Sequence, residues 1–251
     1  MTTSLLNSLL RALLRWGAAL VFCLPLRHRS HFWARACGML FPLLLLAQLL
    51  DPLAQSTTLW QQQLLLLVLY ISFFMLLGGM IYLCTDINKK GAMYCAVWSL
   101  LIAQCAYEGW CFLELQFARY GHPLNMASPW AVLVQLLSGA VFFGAVYLLL
   151  ARQLPYKGEY HIGPRQLLSS FFIGSLFMVQ AAVLSDTSID SWPPSLVATL
   201  VTGQLYFLTL LYFQTELFKK SAMEKEMNAL NLLYERQRQQ YQVARQNVQI
   251  I

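Results

Sequence analysis

Seven long apolar stretches recur along this chain, and each is bounded by charged residues, proline or tryptophan. An α-helix needs about 20 predominantly apolar residues to cross the hydrocarbon core of a bilayer. Because lipid offers no hydrogen-bond partners, such segments must satisfy their backbone groups internally, as helices do. The predicted spans cover residues 4–26, 33–50, 61–84, 92–115, 129–152, 166–185 and 194–217. The sequence therefore predicts an all-α fold, a polytopic membrane bundle of about seven transmembrane helices.

The composition supports the same class of protein. Apolar residues make up 58% of the chain and charged residues only 11%, which is far from the balance of a soluble domain. The formal net charge of +6 comes from connections and the C-terminal segment, so it indicates membrane topology and not nucleic-acid binding. The bilayer is the first partner that the sequence implies.

Lys and Arg occur in alternate connections, which predicts the orientation of the chain. The basic connections carry Arg27, Arg29 and Arg35, then Lys89 and Lys90, then Arg152, Lys157 and Arg165, and finally Lys219 and Lys220. Short loops rich in Lys and Arg are retained in the cytoplasm. We therefore expect a multi-pass protein of the cell membrane with its N-terminus outside and its C-terminus in the cytoplasm.

The first span is interrupted by Arg11 and Arg15. It could cross the membrane, or lie at the interface and lead into a half-span; a cleavable signal peptide is disfavoured because no small-residue cleavage site follows. In the spanning interpretation both arginines lie at a depth similar to Glu108 in the fourth span, with Gln104 one turn away. Intramembrane charges are costly unless they are paired, so we predict that Arg11 or Arg15 pairs with Glu108.

Further polar residues lie within the spans, namely Gln135, Gln180 and Gln204. They could form hydrogen bonds between helices, which is common in membrane bundles, or line a polar, outward-open cavity for a ligand. Small residues at Ala140 and Gly144, and the pair Gly78 and Gly79, predict places where helix backbones approach closely.

No motif in the chain predicts catalysis. The six cysteines lie in or beside spans without a close pair, and the four histidines lack metal-ligand spacing. A Gly-rich phosphate loop and a nucleophile motif are also lacking. The sequence predicts no catalytic residue, no metal site and no cofactor, and it leaves open whether the chain is part of an enzyme.

The last 34 residues, 218–251, are polar and predict a cytoplasmic coiled-coil helix beyond the membrane domain of residues 1–217. Residues spaced alternately by four and three form a heptad seam. The seam consists of Met223, Met227, Leu230, Tyr234, Gln237, Tyr241, Ala244, Val248 and Ile251. Gln237 and Ala244 weaken it, so the alternative is a solvated helix that only caps the bundle. The seam predicts a homodimer.

Two stretches, together with the seven-span layout, make the chain resemble a known family. They are "LPLRHRSHFWAR" after the first span and "YFQTELFKKSAMEKEMNALNLLYERQRQQYQVARQNVQII" at the exit from the last one. Both resemble the membrane sensor half of bacterial receptor histidine kinases with a GHKL-type ATPase domain, and are similar to peptide-pheromone receptors of the accessory-gene-regulator type. The resemblance implies a dimerisation helix followed by a phospho-accepting histidine and an ATP-binding domain. No histidine follows His161, so the kinase residues have no counterpart here and we expect a chain truncated before the catalytic part.

The resulting expectation is the sensor module of a two-component system. Its ligand, a peptide or a small molecule, would bind outside or within the outer half of the membrane, and a response regulator would be reached only through the missing kinase part. Two alternatives come from other classes: a small-molecule transporter or substrate-capture membrane subunit, and a membrane scaffold protein. A transporter has no use for a long heptad helix after its last span, which favours the sensor.

Overall fold

The computed structural model describes residues 2–54, 59–119, 129–153, 162–185 and 194–249, and in these ranges the chain is helical and contains no β-strand. The helices are α1 (Thr2–Cys23), α2 (Phe32–Ala54), α3 (Leu59–Cys84), α4 (Lys89–Arg119), α5 (Pro129–Leu149), α6 (Pro164–Ser185) and α7 (Pro194–Gln249), with a short 3₁₀ helix at Ala151–Gln153. The predicted all-α class is confirmed for the described residues. Each predicted span coincides with one of these α-helices.

Three of the helices in the described residues are long and apolar enough to cross a membrane. The segments are Leu67–Cys84, Lys89–Glu114 and Trp130–Leu149, and a shorter apolar segment, Phe32–Gln48, lies in α2. This is consistent with a membrane protein. In α1 the two arginines and the polar residues of the first turns reduce the hydropathy. The count of seven spans and their orientation stay predictions.

The helix starts follow from local sequence. Proline stands first in α5, α6 and α7, where its fixed φ and missing N–H suit the first helical position. Asn88 caps α4, since its Oδ1 accepts the Gly91 N–H at 2.7 Å. At the start of α6 the Gly163 N–H donates to Gln166 Oε1 at 2.8 Å, which is half of a capping box.

Helices α1 and α4 lie at the centre of the bundle. α1 packs against α2, α3, α4 and α5, and α4 packs against α1, α3, α5 and α6. α1 runs parallel to α3, because Arg15 contacts Phe73 while Arg29, just after α1, bonds to Cys84. It runs antiparallel to α4, since Arg11 contacts Tyr107 far from the start of α4. The first helix is therefore an integral part of the bundle.

Glycines mark the closest helix contacts. A Cβ added at Gly174 of α6 would lie 2.9 Å from Val97 Cγ1 of α4, and one at Gly139 of α5 would lie 3.1 Å from Leu14 Cδ2 of α1. Distances this short leave no room for a side chain without movement. The expectation of close packing at Ala140 and Gly144 is wrong, because both are exposed and a Cβ at Gly144 would meet nothing within 4 Å. Successive side chains of a helix point about 100° apart, so the face of α5 that packs on other helices includes Gly139 and not Ala140.

The α1–α2 and α3–α4 connections bind each other, and we call residues 24–31 and 85–88 together the clasp. His28 and Thr85 form an isolated antiparallel bridge. The Arg29 N–H donates to the Cys84 carbonyl at 3.0 Å, and the Asp86 N–H donates to the Arg27 carbonyl at 2.9 Å. These bonds satisfy backbone groups that the helix ends leave open.

By packing, the chain divides into two compact units, Met1–Phe207 and Leu208–Ile251. The division falls within α7. The predicted domain boundary between residues 217 and 218 stays a prediction. The first unit contains the helix contacts described above, and the second contains the predicted seam.

Candidate functional site

Two arginines of α1 lie inside the bundle and contact aromatic rings. The Arg11 Nη2 donates to the Tyr107 hydroxyl at 2.9 Å, and its guanidinium carbon lies 4.9 Å from the centre of the same ring. Arg15 lies over Phe73 of α3, with 3.9 Å between the guanidinium carbon and the ring centre. Phe73 is only 1% exposed. A cation over an aromatic face gains about 0.5–2 kcal/mol, more where water is excluded, so these rings stabilise the two charges.

Acidic and amide groups of α4 lie beside the arginines. The Gln104 amide donates to Glu108 Oε1 at 3.1 Å, which joins residues one turn apart on the same face. Tyr70 of α3 lies within electrostatic range of Arg15, Glu108 and Arg11. These groups from α1, α3 and α4 form what we call the polar cluster. The proposed ion pair of Arg11 or Arg15 with Glu108 fits this placement and stays a prediction.

Gln135 of α5 adds a buried amide to the same bundle. It is 3% exposed, and its Oε1 has no hydrogen-bond partner among the described residues. Gln135 precedes Gly139 by one helical turn and so shares the face of α5 that packs on Leu14. A buried acceptor without a partner is costly, by about 1–3 kcal/mol, and such groups usually have a structural or functional reason.

Of the residues predicted to form a site, Arg11, Arg15 and Glu108 lie within electrostatic range of Tyr70, Gln104 bonds to Glu108, and Gln135 lies on the α5 face toward α1. Gln180 and Gln204 lie on α6 and α7, outside the described side chains. Sequence reasoning missed Tyr70, Phe73 and Tyr107. Tyr107 precedes Glu108 directly in the sequence and could have been recognised as a partner, since arginines inside a bundle need either acidic or aromatic partners.

The arrangement holds charge and hydrogen-bonding capacity in an apolar setting, and it offers no obvious chemistry for bond making or breaking. Among the described residues no three His, Cys, Asp or Glu side chains lie close enough to hold a metal ion. The thiols of Cys23, Cys84, Cys95 and Cys105 are buried. What the cluster can do is bind a polar group or couple helix positions through its charges.

The second unit carries the predicted seam. From 227 to 242 every side chain is exposed. The exposed fractions of the larger seam residues are 52% for Met223, 63% for Met227, 58% for Leu230, 69% for Tyr234 and 72% for Tyr241. Leu233, which the seam prediction omitted, is 58% exposed and widens the apolar stripe one turn from Leu230 and Gln237. Ala244 and Val248 lie on α7 outside the described side chains, and Ile251 lies outside the described residues.

Taken together, the fold and these sites define an all-helical protein with helices able to cross a membrane, a polar cluster inside the bundle and an exposed apolar stripe on its last helix. Comparison with family models, with curated proteins and with solved structures gave no match for this chain. The resemblance to receptor histidine kinases therefore rests on the two sequence stretches and the predicted seven-span layout.

Proposed function

We propose that this chain is the sensor module of a dimeric membrane receptor of the two-component type, with its output in α7. The observation that carries the proposal is the stripe of exposed apolar side chains from Met223 to Tyr241 at heptad spacing. Large apolar residues at a and d positions gain stability by inserting into a facing helix. A second copy of this chain presents the same stripe and is self-complementary in a two-fold dimer.

Membrane anchoring favours dimerisation through a weak seam such as this one. Gln237 and the two tyrosines pack less well than leucines do, so an isolated helix would pair weakly. Two chains held in one bilayer have a raised effective concentration, which can add a large factor to pairing without any new contact. The proposed dimer therefore depends on the membrane part as well as on the seam.

The polar cluster is the proposed element that responds to the ligand. Its groups come from three helices, so a shift of α1 relative to α3 or α4 changes the contacts of Arg11 and Arg15. A ligand can move an equilibrium between two arrangements only if it binds them with different affinities. A polar or anionic ligand group that competes with Tyr107 for Arg11 would have such a difference. The proposed signal then passes to α7.

Cysteine crosslinking in membranes tests the dimer. In a background that lacks the six native cysteines, a cysteine at Met227, Leu230 or Tyr234 should form interchain disulfides, because seam residues face their equivalents in a parallel pair. Cysteines at Asn228 and Gln239, on other faces of the same exposed helix, are the matched controls and should crosslink much less. Uniform crosslinking around the helix would contradict the proposal.

The output role is tested with a chimaera in which the chain is joined to the kinase part of a receptor histidine kinase. One residue inserted after Lys220 rotates everything downstream by about 100°, whereas seven inserted residues restore the heptad phase. Autophosphorylation should change in the first variant and be largely preserved in the second. Activity that is the same in both would remove the support for α7 as the output.

A further inference from the structure

The clasp concentrates positive charge at one end of the bundle. It and the adjoining helix starts carry Arg27, Arg29, Arg35, Lys89 and Lys90, and the one acid among them is Asp86. Arg27, Lys89 and Lys90 are exposed. The C-termini of α1 and α3 lie at the same end as the N-termini of α2 and α4, so the helix dipoles largely cancel and the positive charge comes from the side chains. This surface attracts anions.

Two of the arginines are held in place by contacts in and beside the clasp. Arg29 lies 5.0 Å from the centre of the Tyr82 ring, and its Nη2 is 3.8 Å from Asp86 Oδ1. The Arg35 Nη1 donates to the Leu83 carbonyl at 2.8 Å. His28 stacks on Phe32 with 4.1 Å between ring centres. An ordered set of donors loses less entropy when it binds a ligand than a mobile one does.

Exposed apolar side chains border these charges. Trp33 is 60% exposed, Leu24 is 42% exposed and Leu83 is 44% exposed. Tryptophan beside basic residues is typical of the boundary between the hydrocarbon core and the lipid headgroups. A free phosphate ion would use the cations only, whereas a phospholipid would use the cations for its headgroup and the apolar border for its acyl chains.

We propose that the clasp, together with the adjoining starts of α2 and α4, binds the phosphate-bearing headgroup of an anionic membrane lipid. The shared chemistry of the ligand is a phosphate that accepts hydrogen bonds from Arg and Lys, and the lipid is the source that fits the apolar border. Lys89 and Lys90 supply exposed charge at the start of α4, and Arg27 and Arg29 supply charge in the connection that follows α1. Asp86 opposes binding, because it is the acid of this surface.

Native mass spectrometry of the purified chain in detergent with equal amounts of phosphatidylglycerol and phosphatidylcholine tests the proposal. The chain should retain phosphatidylglycerol preferentially. Each removed surface charge weakens anionic-lipid binding about fivefold, so Lys89→Gln with Lys90→Gln should lower the affinity for phosphatidylglycerol about 25-fold. Arg152→Gln with Arg165→Gln is the matched control, since it removes two exposed cations outside the clasp, and it should change the affinity less than about twofold.

A second variant separates binding from misfolding. Asp86→Asn removes the negative charge and should raise phosphatidylglycerol retention severalfold, an effect that a damaged clasp cannot produce. Equal losses in the two double variants, no preference for phosphatidylglycerol, or weaker retention in Asp86→Asn would each overturn the proposal. Complete displacement of the lipid by excess inorganic phosphate would also overturn it, because a soluble phosphate would then be the ligand. The proposal does not depend on the sensor function.

Discussion

Helix α1 of the first unit buries apolar side chains on several of its turns, whereas the described large apolar side chains of the second unit are mostly exposed. In α1, Ala12, Ala18 and Cys23 are fully buried by the surrounding helices. In the second unit, Leu230 and Tyr234 are more than half exposed. Both segments are helical and both carry apolar residues at regular spacing. The apolar stripe of α1 is covered by other helices of the same chain, whereas the stripe of the second unit is not covered by the described residues.

The same contrast applies to charge. In the bundle Arg11 and Arg15 contact rings and a hydroxyl, since lipid and protein supply no water for them. In the second unit Arg236 and Arg238 are exposed and need no protein partner. Substitutions should therefore have large effects on unfolding in the first unit and small effects in the second.

The largest effect is expected for Glu108→Ala. Arg11, Arg15 and Glu108 are half-buried within the bundle, and removing one member of a charged set there leaves the other charges uncompensated, which costs up to about 3–5 kcal/mol. Unfolding in mixed micelles with rising SDS content measures this loss. The matched control is Glu235→Ala on the exposed helix, which should be neutral. Replacing Glu108 together with Arg11 or Arg15 should recover part of the loss; strictly additive costs would refute the predicted pairing.

A smaller effect is expected for Gly174→Ala. The new Cβ would lie 2.9 Å from Val97 Cγ1, and the branched Val97 side chain cannot easily rotate away. Overpacking of this kind costs about 1–3 kcal/mol. Gly144→Ala is the control, because nothing lies within 4 Å of its Cβ position, and there the higher helix propensity of alanine should leave stability unchanged or slightly raised. Equal melting temperatures for the two variants would argue against this α4–α6 contact.

The smallest effect on unfolding is expected for Leu230→Ser. An exposed side chain contributes little within its own chain, so the change should stay within about 0.5 kcal/mol in dilute detergent. Leu14→Ser is the comparison, since Leu14 is 7% exposed against Gly139 and should cost about 2–5 kcal/mol. The two variants should rank the other way in membrane crosslinking through a cysteine at Met227. There Leu230→Ser should reduce the yield of crosslinked dimer and Leu14→Ser should not. A large unfolding cost for Leu230→Ser would mean that the stripe is covered within one chain.

Helix positions could be predicted from the sequence because they depend on local features. Apolar length, the prolines at the starts of α5, α6 and α7, and Pro25 after α1 all act within a few residues. Proline disfavours helical geometry in the residue before it, which explains why α1 ends at Cys23. The predicted span had continued to residue 26. The polar cluster was predicted in part, since a charge within an apolar stretch requires some partner.

Side-chain partners could not be predicted in the same way, because they depend on which helices pack and on how each is rotated. Nothing in the local sequence shows that Arg15 lies over Phe73, 58 positions away along the chain. In α5 the small residues expected to mark close packing were Ala140 and Gly144, whereas the residue that lies against Leu14 of α1 is Gly139. Small errors in rotation change every partner on a helix, while they leave its ends unaffected.

The large sequence separation between Arg11 and Tyr107 also determines when their contact can form during synthesis. The two residues are 96 positions apart, and Tyr107 must be synthesised before the contact can form. At about 5–20 residues per second, α1 waits about 5–20 s for this partner during synthesis, which is very long compared with the microseconds in which a helix forms. During that interval the first helix is complete while its guanidinium lacks the Tyr107 hydroxyl. This contact can therefore form only once the fourth helix has been made, although the first helix is made earliest.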